Sequence, residues 1–170
     1  MAAPSGPNFL VFAQVLTALD VWRQTLIWVK DRFVLGRSDF HYQHEALFYG
    51  WTPGAAHRRP PDRSRSTVLE FARPARSDEH PTMKPVDLVA YCIEASSPKK
   101  AVVLDPFGGS GTTLIACEQL GRQARLIEFD PGYCDATIHR WEKASGSAAV
   151  LDGAGRTFAE VAASRQEETT

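Results

Sequence analysis

The sequence predicts an α/β fold with a parallel sheet in its carboxy-terminal half. From Pro85 onward, apolar helical segments alternate with short strands rich in β-branched residues, which is typical of helices packed on a parallel sheet. A glycine-rich turn, Gly108–Gly111, lies between one of these strands and the next helix, and glycine permits so sharp a connection. At 170 residues, the chain is long enough for one domain.

The first half of the chain is predicted to contain one helix and three short strands. Apolar residues recur at helical spacing from Phe9 to Asp20, at Phe9, Phe12, Val15, Leu16 and Leu19. The segments Gln24–Lys30 and Ala46–Trp51 are rich in branched and aromatic residues and are predicted to be strands with a long connection. Gly54–Ser66 is expected to be a mobile loop, and Thr67–Phe71 a further short strand.

The second half is predicted to alternate regularly between helix and strand. The elements are, in order, a helix from Pro85 to about Ala95, a strand at Ala101–Asp105, a helix from Thr112 to Leu120, a strand at Ala124–Phe129 and a helix from Gly132 to Lys143. Beyond Ser145 the residues are small and polar. The domain is therefore expected to span 1–147, and 148–170 to be a disordered tail.

Composition excludes several classes of protein. The formal net charge is -1, no run of 18 apolar residues occurs and no basic segment precedes the first apolar stretch, so neither a membrane span nor a signal peptide is predicted. Cys92, Cys117 and Cys134 are odd in number and widely separated, and the histidines lack a completing ligand set. Neither a disulfide framework nor a metal site is predicted, and a cytoplasmic location fits.

The segment from Val102 to Asp130 carries the chemistry. A buried strand is expected to end at Asp105 and to turn through the glycines directly into a helix, so backbone can approach a ligand at the carboxyl edge of the sheet. Glu128 lies at the end of the next strand, about 20 residues after the glycines, where an acidic side chain accepts hydrogen bonds from ribose hydroxyls. The pattern predicts a site for a nucleoside-containing cofactor.

The residues alone leave three interpretations of the glycine turn. It could be a tight turn without a ligand, although the flanking strand and helix and Glu128 favour a site. A dinucleotide-dependent oxidoreductase would carry G-x-G-x-x-G with a pyrophosphate on the helix amino terminus, and Asp105 would repel that pyrophosphate. A carboxylate at this place instead suits a cofactor with a cationic amino-acid moiety.

Two motifs resemble one enzyme family in sequence and order. Asp105-Pro106-Phe107-Gly108-Gly109-Ser110-Gly111-Thr112 resembles the cofactor motif of the S-adenosylmethionine-dependent DNA methyltransferases that modify exocyclic amino groups. His80-Pro81-Thr82-Met83-Lys84-Pro85 resembles the motif that precedes it in one permuted class. Upstream, Trp28-Val29-Lys30, His44-Glu45 and Phe48-Tyr49-Gly50-Trp51 resemble the strand pair ahead of the target-recognition region. The resemblance covers about Leu10 to Lys143.

The resemblance implies a Rossmann-like methyltransferase sheet that binds S-adenosylmethionine. The cofactor-binding residues that it implies are Asp105, Pro106, Phe107, Gly108, Gly109, Ser110, Gly111, Thr112, Glu128, His80, Thr82, Lys84 and Pro85. It also implies methyl transfer to an amino group of double-stranded DNA, with adenine favoured over cytosine as the target base. Restriction-modification is the expected setting.

The catalytic tetrapeptide of this family, D-P-P-Y, S-P-P-Y or similar, does not occur in the sequence. The one Pro-Pro pair, Pro60-Pro61, has no aromatic residue after it. In the family this tetrapeptide holds the amino group of a flipped base, and its strand lies beside the equivalent of Val102–Asp105. The sheet is therefore expected to be incomplete, no catalytic residue is assigned, and a separate amino-terminal chain is a candidate partner. A non-catalytic remnant that binds nucleic acid or a partner is the alternative.

Arginines are concentrated between His57 and Arg76. In the resembling class this region contacts DNA, so 52–79 is expected to be a basic, target-recognition-like loop. The residues expected to contact DNA phosphates are Arg58, Arg59, Arg63 and Arg65. The alternative is a solvated loop whose charges bind nothing specific.

Overall fold

The structure, a computed structural model, describes residues 1–3, 6–33, 35–37, 39–60, 63–74 and 83–168. These residues form five helices and five strands. The chain divides into two compact units, Met1–Ala75 with Glu94–Ser96, and Arg76–Ile93 with Ser97–Thr170. Among the described residues, each unit contains one sheet.

The first unit is built on a three-stranded sheet. Helix α1 (Asn8–Ala18) is followed by strands β1 (Trp22–Val29), β2 (His44–Gly50) and β3 (Val68–Glu70). β1 lies in the middle, antiparallel to β2 and parallel to β3. The three predicted strands are confirmed, and the first two begin two residues earlier than predicted.

Helix α1 packs on the sheet through only part of the predicted apolar face. Phe9 stacks on Phe48 of β2 with 4.8 Å between ring centroids, and Ala13 is buried beside it. The prediction is confirmed for Phe9 and Leu16, which pack with Ala13 against the sheet, and is wrong for the other apolar side chains, which lie in water. The side chains predicted to pack that are exposed instead are Phe12, Val15 and Leu19.

The end of β1 holds a buried charge. Lys30, which follows the strand, is only 7% exposed, and Trp28 is 2% exposed. Lys30 Nζ pairs with Glu45 Oε1 at 2.8 Å and lies 5.2 Å from the Trp28 ring centroid, while Trp28 Nε1 donates to the Phe71 carbonyl at 2.7 Å. A lysine at the end of a strand is ordinarily solvated, and this one is buried because its ammonium group is paired.

The second unit contains the predicted alternation of helix and strand. Its elements are α2 (Val86–Ser96, whose last three residues belong to the first unit), β4 (Val102–Asp105), α3 (Thr112–Leu120), β5 (Gln123–Leu126), α4 (Pro131–Ser145) and α5 (Phe158–Glu168). Strands β4 and β5 are parallel, as predicted. The second of them ends three residues earlier than expected, so Glu128 lies beyond the strand.

The two faces of the β4–β5 sheet differ in what covers them. Val103 packs on Ala116 and Cys117 of α3, which are fully buried. Side chains alternate along a strand, and Val102 and Leu104 on the opposite face are 61% and 64% exposed. A parallel sheet ordinarily carries helices on both faces. In the part of the chain that the structure describes, one face of this sheet is therefore bare.

The predicted disordered tail is instead partly helical. Thr157 and Glu160 form a reciprocal cap, in which Thr157 N donates to Glu160 Oε2 at 2.7 Å and Glu160 N donates to Thr157 Oγ1 at 3.3 Å. The Phe158 ring meets His139 of α4 with 4.9 Å between centroids. The prediction for 148–170 was therefore wrong over α5, because the threonine and the glutamate three residues later begin a helix.

Candidate cofactor-binding site

The glycine-rich loop is tied to the carboxyl ends of both parallel strands. Gly108 N donates to the Ile127 carbonyl at 2.9 Å, and Ile127 N donates to the Asp105 carbonyl at 3.0 Å. Gly111 N donates to the Gly108 carbonyl at 2.9 Å and closes the turn into α3. The loop therefore lies where open α/β sheets bind ligands, outside the carboxyl ends of their strands.

Asp105, the last residue of β4, has its carboxylate fixed by the residues that follow it. Oδ1 accepts a hydrogen bond from Phe107 N at 3.1 Å, and Oδ2 accepts one from Thr113 Oγ1 at 2.5 Å. Each carboxylate oxygen has a second acceptor site. The side chain is thus held in one orientation and retains acceptor capacity for a ligand.

Glu128 and the glycine loop are joined directly. Glu128 Oε2 accepts a hydrogen bond from Gly109 N at 2.6 Å, and Oε1 accepts one from Asp130 N at 2.9 Å. The structure therefore brings together the acidic residue and the loop that the sequence analysis assigned to one site. Their roles toward a cofactor remain predictions.

Gly109 and Gly111 of the loop have different surroundings. Gly111 has φ +78°, and a Cβ there would lie 2.6 Å from Thr137 Cγ2 of α4, so only glycine fits. Gly109 has φ +55°, and a Cβ there would meet nothing within 4 Å. The backbone at Gly109 therefore borders open space that a ligand could enter, whereas Gly111 is required by packing.

The remaining loop residues differ widely in exposure. Phe107 is 85% exposed, whereas Ser110 and Thr112 are 5% and 8% exposed. Ser110 Oγ accepts a hydrogen bond from Arg140 Nη1 at 2.9 Å. Of the predicted cofactor contacts, Phe107 is accessible from solvent, while the hydroxyl of Ser110 is engaged by a helix.

Only part of the predicted preceding motif can be placed. His80 and Thr82 lie outside the described residues. Pro85 is the buried N-cap residue of α2, and the Lys84 carbonyl accepts a long hydrogen bond from Thr112 Oγ1 at 3.5 Å. The described end of the motif therefore contacts the start of α3, beside the glycine loop.

Three residues of the site were missed by the sequence analysis: Thr113, Thr137 and Arg140. Thr137 Oγ1 donates to the Gly109 carbonyl at 2.9 Å, and Arg140 donates to both the carbonyl and the hydroxyl of Ser110. The two α4 residues are three apart and so lie on one face of the helix. That spacing is a weak signal in sequence, because nothing in it indicates which face of α4 meets the loop.

The described arginines of the basic segment belong to the first unit, and aromatic stacking anchors the start of the segment. The His57 ring stacks on the Trp51 ring, with 3.7 Å between centroids and 14° between the ring planes. Arg65 is engaged by a carboxylate, since its Nη2 lies 3.1 Å from Glu94 Oε2. The predicted DNA contacts that are exposed are Arg58, Arg59 and Arg63.

The described residues favour neither a reactive thiol nor a metal site. Burial raises the pKa of the Cys117 thiol, and burial followed by the nearby Glu128 carboxylate raises the pKa of the Cys134 thiol, so both favour the protonated form. The described residues contain no group of three side chains able to hold a metal ion. None of the described helices is both long and apolar enough to cross a membrane.

Comparison with known proteins matches the same region of the chain. Residues 18–139 match the DNA methylase family of N6 and N4 methyltransferases. The type II methyltransferase M.Cfr9I of Citrobacter freundii is 33% identical over 141 residues, which are 71% of this chain and 45% of that enzyme. The chain thus spans less than half the length of this relative.

Solved structures support the predicted fold class. The complex of M1.HpyAVI with S-adenosylmethionine is similar over 80% of this chain and 71% of that chain, with a TM-score of 0.67 and 26% identity. The cytosine-N4-specific PvuII DNA methyltransferase is similar over 90% of this chain and 62% of that chain, with a TM-score of 0.61 and 16% identity. The α/β, Rossmann-like methyltransferase fold is confirmed, with an incomplete sheet.

Proposed function

Since the chain belongs to the DNA methylase family of N6 and N4 methyltransferases, we propose that it supplies the S-adenosylmethionine-binding part of a site-specific DNA methyltransferase. The complete enzyme transfers a methyl group to the exocyclic amino group of adenine, or of cytosine as the alternative base. One observation carries this proposal: the carboxylates of Asp105 and Glu128 both hold the loop, through Phe107 N and Gly109 N.

The adenosine end of the cofactor fits at Glu128. Its carboxylate is oriented by Gly109 N and Asp130 N, and each oxygen has a second acceptor site for a ribose hydroxyl. The space beside Gly109 gives access to the loop backbone. The exposed ring of Phe107 is available to pack on the bound ligand.

The methionine end fits at Asp105. Its carboxylate is fixed by Thr113 Oγ1, and an ammonium group placed beside it is favoured electrostatically. Lys84 and Pro85 lie at the start of α2, and we expect His80 and Thr82 to complete this side of the site. When bound, S-adenosylmethionine supplies an electrophilic methyl group on its sulfonium.

The basic segment is proposed to contact the DNA backbone. The exposed guanidinium groups of Arg58, Arg59 and Arg63 can neutralise phosphates. Arg65 would have to exchange its Glu94 partner for a phosphate, so we expect it to contribute less. Phosphate contacts give affinity without selecting a sequence.

The catalytic tetrapeptide is proposed to come from an amino-terminal part of the enzyme that these 170 residues do not contain. The bare face at Val102 and Leu104 supports this, because the missing part of an α/β domain would bring helices to cover it. A separate amino-terminal chain is one candidate for that source. The second candidate is a non-catalytic remnant, which the absence of the tetrapeptide favours.

Two measurements on the purified chain test the proposal. Calorimetric titration should show binding of S-adenosylmethionine and no binding of a nicotinamide dinucleotide. Labelled methyl transfer to unmethylated duplex DNA should then be absent for the chain alone, and should appear with an added amino-terminal part of a related methyltransferase. Digestion of the product to nucleosides identifies the base, and duplex RNA in parallel tests the nucleic acid.

The outcomes separate the candidates. Binding without transfer under every condition favours the non-catalytic remnant over the half-enzyme. Transfer by the chain alone would show that another segment replaces the tetrapeptide. Failure to bind the cofactor would contradict the proposed function of this chain.

A further inference from the structure

Helix α4 donates hydrogen bonds to the backbone carbonyl groups of the glycine loop. Thr137 Oγ1 donates to the Gly109 carbonyl at 2.9 Å. Arg140 Nη1 donates to the Ser110 carbonyl and, at 2.9 Å, to the Ser110 hydroxyl. Two successive loop carbonyls are therefore satisfied by side chains of one helix face.

The same helix also determines the position of the acidic residue. Asp130 caps α4, accepting from Gly132 N at 2.7 Å and from Tyr133 N at 3.3 Å on Oδ1. Its own amide donates to Glu128 Oε1 at 2.9 Å. Helix α4 is thus connected to the loop in its middle and to Glu128 at its amino end.

The Ser110 carbonyl needs a partner because this end of the loop is buried. Ser110 is only 5% exposed, and a buried acceptor left without a partner is unfavourable by about 1 to 3 kcal/mol. A loop that lost its α4 donors would turn these carbonyls toward water. That movement would reorient the Gly109 amide, which now donates a hydrogen bond to Glu128.

We propose that Thr137 and Arg140 are positioning residues for cofactor binding. They hold the carbonyls of Gly109 and Ser110 against α4 and thereby fix the loop beside Glu128 and the open space at Gly109. This inference rests on the proposed S-adenosylmethionine site. Neither residue needs to touch the cofactor.

Matched variants separate positioning from general stability. Thr137→Val keeps the shape of the side chain but removes the donor, whereas Thr137→Ser keeps the donor. Arg140→Ala removes both bonds to Ser110, and Arg140→Lys retains the charge and a donor. Lys143→Ala, at an exposed position in the last turn of the same helix, is the control.

Two readouts apply to every variant, at a temperature where thermal melting shows it to be folded. Hydrogen exchange of peptides covering 106–113 measures the loop without any cofactor, and calorimetry measures S-adenosylmethionine affinity. We expect Thr137→Val to weaken affinity about 3- to 10-fold and Arg140→Ala roughly 10- to 100-fold. Both should speed exchange of the loop, while Thr137→Ser restores both values, Arg140→Lys restores them partly, and Lys143→Ala changes neither.

The results discriminate between the two proposals. Unchanged affinity or unchanged loop exchange in folded Thr137→Val and Arg140→Ala would overturn the positioning role. Equal loss in Thr137→Ser and Thr137→Val would also overturn it, because the donor would then be irrelevant. If the unmodified chain binds no S-adenosylmethionine while the variants still release the loop, the proposed function fails and the hold of α4 on the loop is supported.

Discussion

The Glu128 carboxylate accepts a hydrogen bond from the Gly109 amide at 2.6 Å, across 19 residues of chain. Its other oxygen accepts from Asp130 N at 2.9 Å. The acid and the loop therefore orient each other before any ligand binds. Such preorganisation removes part of the ordering that binding would otherwise require.

Replacement of this acid tests its proposed part in binding the ribose. We expect Glu128→Gln to weaken S-adenosylmethionine binding about 10-fold, because a neutral amide accepts a weaker hydrogen bond than a carboxylate. Glu128→Ala should weaken it further, since the Gly109 amide then loses its partner as well. Titration calorimetry measures both, with Asp135→Asn, an exposed acid on α4, as the control. Affinity equal to that of the unmodified chain in Glu128→Gln would contradict the assignment.

Gly111 should be more sensitive to substitution than another glycine at the opposite end of α3. Gly111 and Gly121 have φ +78° and +64°, but a Cβ meets Thr137 at 2.6 Å in the first and nothing within 4 Å in the second. Gly121→Ala should lower the free energy of unfolding by about 1 to 2 kcal/mol through its backbone alone. Gly111→Ala should lower it by about 1 to 3 kcal/mol more, through crowding. Urea unfolding measures the difference. Equal losses of unfolding free energy in the two variants would show that α4 shifts to make room for the added methyl group.

The elements around the site could be predicted because their signals are local. Strand β4 and helix α3 were predicted to within one residue, since Asp105, the glycines and Gly121 mark where the chain must turn. Glu128 could be assigned to the same site because the carboxyl ends of parallel strands meet at one edge. Spacing along the chain was sufficient for both.

Other features depend on which surfaces meet, and spacing does not determine that. Lys30 is buried because its ammonium group pairs with Glu45 of the neighbouring strand. Arg140 contacts the loop because one face of α4 packs there, yet the polar residues of that helix give no indication of the face. Helix α5 was a different omission, since the cap at Thr157 and Glu160 is visible in the sequence.

The bare face of the β4–β5 sheet predicts unusual tolerance of a polar side chain. Leu104 is 64% exposed, whereas Leu88 of α2 is 1% exposed. Leu104→Gln should change the free energy of unfolding by less than about 0.5 kcal/mol, and the same exchange at Leu88 should cost about 3 to 5 kcal/mol. Leu104→Gln should also reduce binding of an apolar fluorescent dye. Comparable destabilisation at the two positions would mean that Leu104 is covered in solution.

The basic segment predicts salt-dependent binding to DNA. Loss of two of its arginines should reduce the salt dependence, whereas loss of two positive charges elsewhere should not. Arg58 and Arg59 are both exposed, and each phosphate contact contributes about 0.9 to the slope of log affinity against log salt. Arg58→Ala with Arg59→Ala should therefore weaken binding to duplex DNA and reduce that slope by about 1.8. Lys99→Ala with Lys100→Ala removes the same charge at the amino end of β4, the end of the strand opposite the glycine loop, and should leave the slope unchanged. Fluorescence anisotropy over a range of salt concentrations measures both pairs. Equal slopes for the two would show that net charge, and not the basic segment, accounts for binding.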